Sequence, residues 1–115
     1  MAIEELYEAI GSDYNEVIGR LRSEEMIKKF VSVFPSDENY KNFSAAYKNG
    51  DFEAAFRAVH TLKGLSLNLG FDKLAKACIP LTEALRGGKN EVTPKMLTDL
   101  NTAYNELTEV IPKFL

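Results

Sequence analysis

The chain has 115 residues, of which 45% are apolar and 27% charged, with a net charge of −3. This length suits one domain, 1–115, with a single core, and the acidic balance argues against nucleic acid as a partner, because phosphate binding needs a concentrated basic face. No apolar run reaches membrane-spanning length and the start, MAIEELYEAI, lacks a signal peptide's basic end, so we expect a cytoplasmic protein. One histidine and one cysteine offer neither a zinc cluster nor an internal disulfide.

Helical patterns fill the chain, and no segment alternates with the period of a strand. Residues 1–22 predict two short helices, AIEELYEAI and DYNEVIGRL, with Ser12 as the N-cap of the second. Ser23 is predicted to cap the next helix. An apolar stripe keeps its phase across Pro35, which favours one long kinked helix to about Lys48, although Pro35 could also end it and leave Ser36 to cap another. The stripe consists of Met26, Phe30, Val33, Tyr40 and Tyr47.

Stop and start signals divide the rest of the chain. Asn49–Gly50 predicts a helix end and Asp51 a cap, so the next helix should cover 52–69 and end at Gly70. Asp72 is expected to cap a further helix that stops at Arg86–Gly87–Gly88.

Thr93–Pro94 then predicts the start of the last helix, because proline suits the first helical position. Its apolar stripe has the spacing of a helix packed nearly parallel or antiparallel to its neighbours. The stripe contains Leu97, Leu100, Tyr104, Leu107, Ile111 and Phe114. The predicted fold class is all-α: an antiparallel up-down-up-down four-helix bundle over 23–114, with the short helices of 1–22 added to it.

His60 lies within HTLKG on the 52–69 helix, with Lys63 and Gly64 at i+3 and i+4. At about 100° per residue, it falls on the flank of an interior face made by Phe52, Ala55, Phe56, Val59, Leu62 and Ser66. A lone histidine on a helix is ordinarily a surface residue, and a glycine there often serves close packing. Their combination with Lys63 and Arg57 favours function, because an exposed imidazole can act as a nucleophile and nearby cations suit an incoming phosphoryl group.

The segment AVHTLKGLSLNLGF, residues 58–71, closely resembles the H-x-x-K-G signature of histidine-containing phosphotransfer (HPt) domains. The segments NGDFEAAFRAVH and LAKACIPLTEALR extend the resemblance over most of the chain. The family's fold is an up-down-up-down four-helix bundle.

The resemblance implies a phosphorelay intermediate of two-component signalling, without autokinase activity. His60 would accept a phosphoryl group from the aspartyl phosphate of a response-regulator receiver domain and pass it to another receiver. Lys63 would stabilise phosphoryl charge, and Gly64 would give the receiver steric access. Receiver domains and a hybrid histidine kinase are the implied partners, no cofactor or metal site is implied because Mg²⁺ belongs to the receiver, and a monomer is expected.

Many family members place Gln or Glu at the position of Thr82, where it bonds the histidine ring. Thr82 has a shorter reach, so Thr82 and neighbouring Glu83 are both candidates for orienting the ring. Candidate partner-docking residues are Arg57, Leu67, Lys73 and Lys76. Cys78 lies on an apolar stripe and is interpreted as a core thiol.

Two other functions stay open at this point. One is an interaction module that docks receivers without relaying phosphate, although such a binder has no need of a nucleophile. The other is the phosphoacceptor domain of a larger chemotaxis-type histidine kinase. The chain begins at a Met and is closed by its own helix, so a free-standing protein is the expectation.

Overall fold

Seven α-helices fill most of the described residues, 2–115, which contain no strand. In this computed structural model the helices are α1 Ala2–Ala9, α2 Tyr14–Leu21, α3 Glu24–Val33, α4 Asn39–Lys48, α5 Phe52–Leu69, α6 Asp72–Leu85 and α7 Pro94–Phe114. Short 3-10 turns follow α3 and α6, at Phe34–Ser36 and Arg86–Gly88. The predicted all-α class is confirmed; Met1, which the predicted domain range included, lies outside the described residues.

Side-chain caps begin several helices where the sequence predicted them. Oxygens of Ser23, Asp51 and Thr93 accept hydrogen bonds from backbone N–H groups three residues on, at 3.2, 3.1 and 3.3 Å. Each bond satisfies a donor that the first helical turn leaves free. The prediction for Ser12 is wrong, since Asp13 caps α2 by accepting from the backbone N–H of Asn15 at 2.9 Å.

The predicted continuous helix from 24 to 48 is also wrong, because the chain breaks between α3 and α4. Pro35 lies in the 3-10 turn, where it has no N–H to continue the α-helical bonds. Asp37 then takes an extended backbone, with φ −66° and ψ 134°, and its carboxylate accepts from the backbone N–H of Asn39 at 3.0 Å. Helix α4 begins at Asn39 with Glu38 in the N-cap position and no side-chain cap bond, so Ser36 does not cap it.

The break changes which side of α3 is buried. Met26 and Val33 of the predicted stripe are 43% and 55% exposed, whereas Ile27 and Val31 are fully buried. The predicted stripe is one residue out of phase in α3, because a pattern carried through Pro35 assumes a regular helix there.

Helix α5 lies at the centre of the packing. It contacts α4 on one side and α6 on the other, and α6 in turn packs on α7. The buried side of α7 agrees with its predicted stripe, since Leu100, Leu107 and Ile111 are buried. Helix α6 begins at Asp72 itself, with Phe71 in the cap position and no side-chain cap bond, so the capping prediction for Asp72 is wrong.

The two N-terminal helices cover the C-terminal end of α5. The buried Tyr7 hydroxyl donates to the backbone oxygen of Leu69 at 2.5 Å, and the Arg20 guanidinium donates to the backbone oxygens of Leu67 and Asn68 at 3.0 and 3.2 Å. The last carbonyls of a helix lack the i+4 donors of its interior, and the Leu67 oxygen also accepts from the backbone N–H of Gly70 at 3.4 Å. Gly70 ends α5 with φ +73°, and a Cβ there would lie only 2.4 Å from the Val17 side chain. Helices α1 and α2 are thus anchored to the end of α5 both by hydrogen bonds and by close packing.

Candidate functional site

The interior face predicted for α5 is confirmed at its centre. Ala55, Val59, Leu62 and Ser66 are buried, and the Ser66 hydroxyl donates to the backbone oxygen of Leu62 at 2.7 Å. Phe52 and Phe56 are only half-buried, at the edge of that face. Packing of this face on α4 and α6 fixes the rotation of α5 and so determines which residues face outward.

His60, Lys63 and Gly64 lie together on the outward side of α5. His60 and Gly64 are exposed and Lys63 is half-buried. A Cβ built on Gly64 would meet nothing within 4 Å outside its own helix, so no neighbouring element explains this glycine. The site therefore consists of an exposed imidazole with a lysine and an open surface one helical turn away.

Phe56, which the helix pattern predicts only as part of the interior face, is the aromatic neighbour of the His60 ring. The two ring centroids lie 5.6 Å apart, with planes 10° from parallel. Offset parallel stacking is a favourable geometry for aromatic pairs. The i, i+4 spacing of the two residues was the signal that could have revealed this contact.

Arg86, in the 3-10 turn that follows α6, lies over the ring of Phe56. Its Cζ atom is 5.3 Å from the Phe56 centroid. Two of its nitrogens, Nε and Nη2, donate to the Glu83 carboxylate at 3.2 and 2.8 Å. These hydrogen bonds are the main reason that the pKa of the Glu83 carboxyl is held below its usual range, with Lys63 among the cations that act in the same direction. Glu83 therefore carries a negative charge and is engaged with Arg86.

Thr82 is fully buried, and its hydroxyl donates to the backbone oxygen of Cys78 at 2.8 Å. The proton of this hydroxyl is therefore used within α6. With Thr82 bonded to α6 and Glu83 to Arg86, a ring-orienting role for either residue stays a prediction.

Cys78 is a core thiol, as interpreted from the sequence. The residue has no exposed surface, and burial raises the pKa of its thiol to about 12, an effect that the charge of Lys63 only partly opposes. The thiol is therefore protonated at neutral pH and a poor nucleophile.

The four candidate docking residues divide into two groups. Arg57 and Leu67 are exposed on α5, Leu67 at 49%. Lys73 and Lys76 instead line a groove between α6 and α7, together with the acidic residues Asp99 and Glu106. A docking role for all four stays a prediction.

Among the described residues, no group of three or more His, Cys, Asp or Glu side chains is placed to hold a metal ion. Within the same part of the chain, no helix is both long enough and apolar enough to cross a membrane.

Comparison with known families matches residues 25–110 to the Hpt domain. The match covers most of the chain and contains the whole of α5 with His60, Lys63 and Gly64, so the chain belongs to the Hpt domain family. No solved structure matches the chain significantly. The protein is accordingly a histidine phosphotransfer domain of two-component signalling, a class that interacts with receiver domains and histidine kinases.

Proposed function

We propose that this protein is a phosphorelay intermediate in which His60 takes a phosphoryl group from the aspartyl phosphate of one receiver domain and passes it to another. The observation that carries the proposal is the open surface around His60. His60 is exposed, and Gly64 one turn away leaves room for the body of a partner protein. Such access is necessary because the reacting atoms must come within about 3–3.5 Å of each other in line.

The transfer step can be written with the atoms in balance. The lone pair of His60 Nε2 attacks phosphorus and forms the N–P bond, while the P–O bond to the receiver aspartate breaks and its electron pair leaves with the carboxylate. Nδ1 keeps its proton, so the phosphorylated ring leaves the step as an imidazolium. The reverse sequence, with the aspartate of a second receiver as nucleophile, completes the relay.

Lys63 and Arg57 supply positive charge beside the nucleophile. Lys63 follows His60 by three residues and Arg57 precedes it by three, which places the two cations on either side of His60 along the surface of α5. A cation close to the phosphoryl oxygens lowers the energy of the charge that they carry in the transition state. The Mg²⁺ of this chemistry belongs to the receiver, and no metal site is assigned to this chain.

The same proposal includes the arrangement of the fold. Residues 23–114 form an antiparallel four-helix bundle whose first member is the broken pair α3 and α4, followed by α5, α6 and α7. The contacts between consecutive members and the short links between them support this arrangement. Residues 1–22 add α1 and α2, and the whole acts as one monomeric domain.

Phosphoryl transfer from a labelled receiver tests the function directly. We expect the protein to acquire a phosphoryl group that is labile in acid and stable in alkali, and His60→Gln to abolish the label. Because the chain has one histidine, no other imidazole can replace it. A His60→Gln protein that is still labelled would refute the assignment. Lys48→Gln, on α4, is a charge-loss control for Lys63→Gln, which should slow transfer.

The second half of the relay needs a separate measurement. The purified phosphorylated protein is mixed with unphosphorylated receivers of the same cell, and loss of label from His60 is followed in time. Transfer to at least one receiver is expected. A protein that binds receivers equally well as wild type and as His60→Ala, and exchanges phosphate with none, would instead be a docking module.

A further inference from the structure

The contact between His60 and Phe56 gives the imidazole ring a defined plane, although the residue is exposed. The ring lies nearly parallel to Phe56, at 10°, with the centroids 5.6 Å apart. A free histidine side chain on a helix surface turns about two torsions, and the second of them is broad. A parallel neighbour restricts both torsions.

We infer that Phe56 is a positioning residue for phosphoryl transfer, which holds the His60 ring in the plane that the reaction needs. The inference rests on the proposed function of His60. The lone pair of Nε2 lies in the plane of the imidazole, so the ring plane fixes the line along which phosphorus must approach. In-line transfer tolerates little error in that direction. Stacking covers a face of the ring and leaves its edge, where Nε2 lies, free for the partner.

Phe56 is itself held from α6. The guanidinium of Arg86 lies over the Phe56 ring with its Cζ atom 5.3 Å from the centroid, and Glu83 holds that guanidinium through two hydrogen bonds. A two-point Arg–carboxylate pair fixes orientation as well as distance. Contacts therefore connect α6 to His60 through Glu83, Arg86 and Phe56 in turn. The Thr82 hydroxyl takes no part in these contacts, because it is bonded within α6.

Nuclear magnetic resonance of the unphosphorylated protein tests the ring contact without any partner. The single histidine gives one set of imidazole signals. We expect proton–proton contacts between the His60 and Phe56 rings, and a shift of the imidazole signals in Phe56→Leu because the ring current of Phe56 is lost. Phe56→Tyr, which keeps an aromatic ring, should restore signals close to those of wild type.

Transfer kinetics test the consequence. Phe56→Leu should lower the maximum transfer rate at saturating phosphorylated receiver by about two- to tenfold, the range that the strength of an aromatic pair allows. Apparent receiver affinity should stay unchanged, and Phe56→Tyr should recover the rate. The control is Phe52→Leu, the same change one turn earlier on α5, at a half-buried residue that packs on Tyr47 with centroids 5.7 Å apart.

Two results would overturn the inference. The first is a folded Phe56→Leu protein whose imidazole signals and maximum rate equal those of Phe52→Leu. The second is a rate lost in Phe56→Leu and not recovered in Phe56→Tyr although both proteins are folded by circular dichroism. Failure of the proposed function gives a different result, because the His60→Gln protein is then labelled like wild type. The resonance experiment needs no phosphoryl transfer, so it still reports whether Phe56 holds the His60 ring.

Discussion

Gly64, within α5, and Gly70, which ends that helix, have opposite surroundings. A Cβ on Gly70 would lie 2.4 Å from Val17 and 3.3 Å from Tyr7, and the residue has a φ of +73°, which favours glycine. A Cβ on Gly64 would meet nothing within 4 Å outside its helix, and its backbone is that of an ordinary helix interior. Folding therefore accounts for Gly70 and leaves Gly64 unexplained.

This difference separates a glycine that the fold requires from a glycine that the fold does not explain. Glycine in a helix interior costs about 0.5–1 kcal/mol relative to alanine. At Gly64 nothing within the described part of the chain offsets that cost. The C-terminal end of α5 is thus covered by α1 and α2, whereas its middle, around His60, is open, as the proposed docking of a receiver requires.

The largest expected effect is that of Gly70→Ala. The substitution strains a positive φ and drives a methyl group into the buried Val17 side chain, so it should lower the free energy of unfolding by about 2–4 kcal/mol. Urea denaturation followed by circular dichroism measures the loss. Gly64→Ala, within α5, is the matched control. An equal loss of unfolding free energy in both proteins would show that the surroundings of the two glycines do not differ.

Tyr7→Phe comes next, because it removes the hydrogen bond that Tyr7 donates to Leu69. The buried carbonyl loses its partner, and we expect the free energy of unfolding to fall by about 1–2 kcal/mol. Tyr47→Phe is the control, since that hydroxyl donates to Asn90 at 3.3 Å at an exposed position. A smaller loss in Tyr7→Phe than in Tyr47→Phe would contradict the anchoring role of α1.

The stability that the Tyr7 hydroxyl contributes should depend on pH in the alkaline range. Burial, with a contribution from Tyr14, raises the pKa of Tyr7 above the ordinary value of 10. Between the two pKa values the unfolded chain has lost this proton and the folded protein retains it, so stability falls as pH rises above 10, by about 1.4 kcal/mol per pH unit. The difference between wild type and Tyr7→Phe, measured by urea denaturation at pH 9 and pH 11, should shrink by about that amount. A difference independent of pH would show that the hydroxyl is not buried.

Gly64→Ala should change the free energy of unfolding in the direction opposite to Gly70→Ala. We expect it to raise the free energy of unfolding by about 0.5–1 kcal/mol, because alanine favours the helix and the added methyl group meets no neighbour. Gly64→Gln should stay folded and slow phosphoryl transfer from a receiver. Thermal unfolding measures the effect of Gly64→Ala, and transfer kinetics measure the effect of Gly64→Gln. A Gly64→Ala protein less stable than wild type would mean that another part of the protein packs against this surface.

The smallest effect is expected from Arg20→Gln. The guanidinium donates to the backbone oxygens of Leu67 and Asn68 at an exposed position at the negative end of the α5 dipole. Exposure limits its contribution to about 0.5 kcal/mol. The same urea series resolves this loss, and it should diminish at high salt, whereas a salt-independent loss would argue against an electrostatic contact.

The sequence predicted α5 well and the region before it poorly, for a physical reason. The bounds of α5 follow from local chemistry, since Asp51 caps one end and Gly70 ends the other. The position of His60 on the flank followed from the same helix geometry. The break between α3 and α4 depends on Asp37, whose carboxylate turns the chain, and apolar spacing alone does not register that turn.

Contacts between distant parts of the chain were not visible in the sequence. Tyr7 and Leu69 are 62 residues apart, and no periodic pattern links them. The pair of Phe56 and His60 is different, because two aromatic residues at i and i+4 can be recognised from spacing alone. The approach of Arg86 to Phe56 required the packing of α6 on α5.

The anchoring of α5 by its N-terminal neighbours bears on how this domain can be moved between proteins. The family match begins at residue 25, whereas Tyr7, Val17 and Arg20 precede it. A graft cut at that boundary would expose the carbonyls at the end of α5 to water and remove the side chains that pack over Gly70. The segment that must be transferred is therefore longer than the segment that matches the family. Chimeric signalling proteins built from this chain should carry α1 and α2 with the bundle.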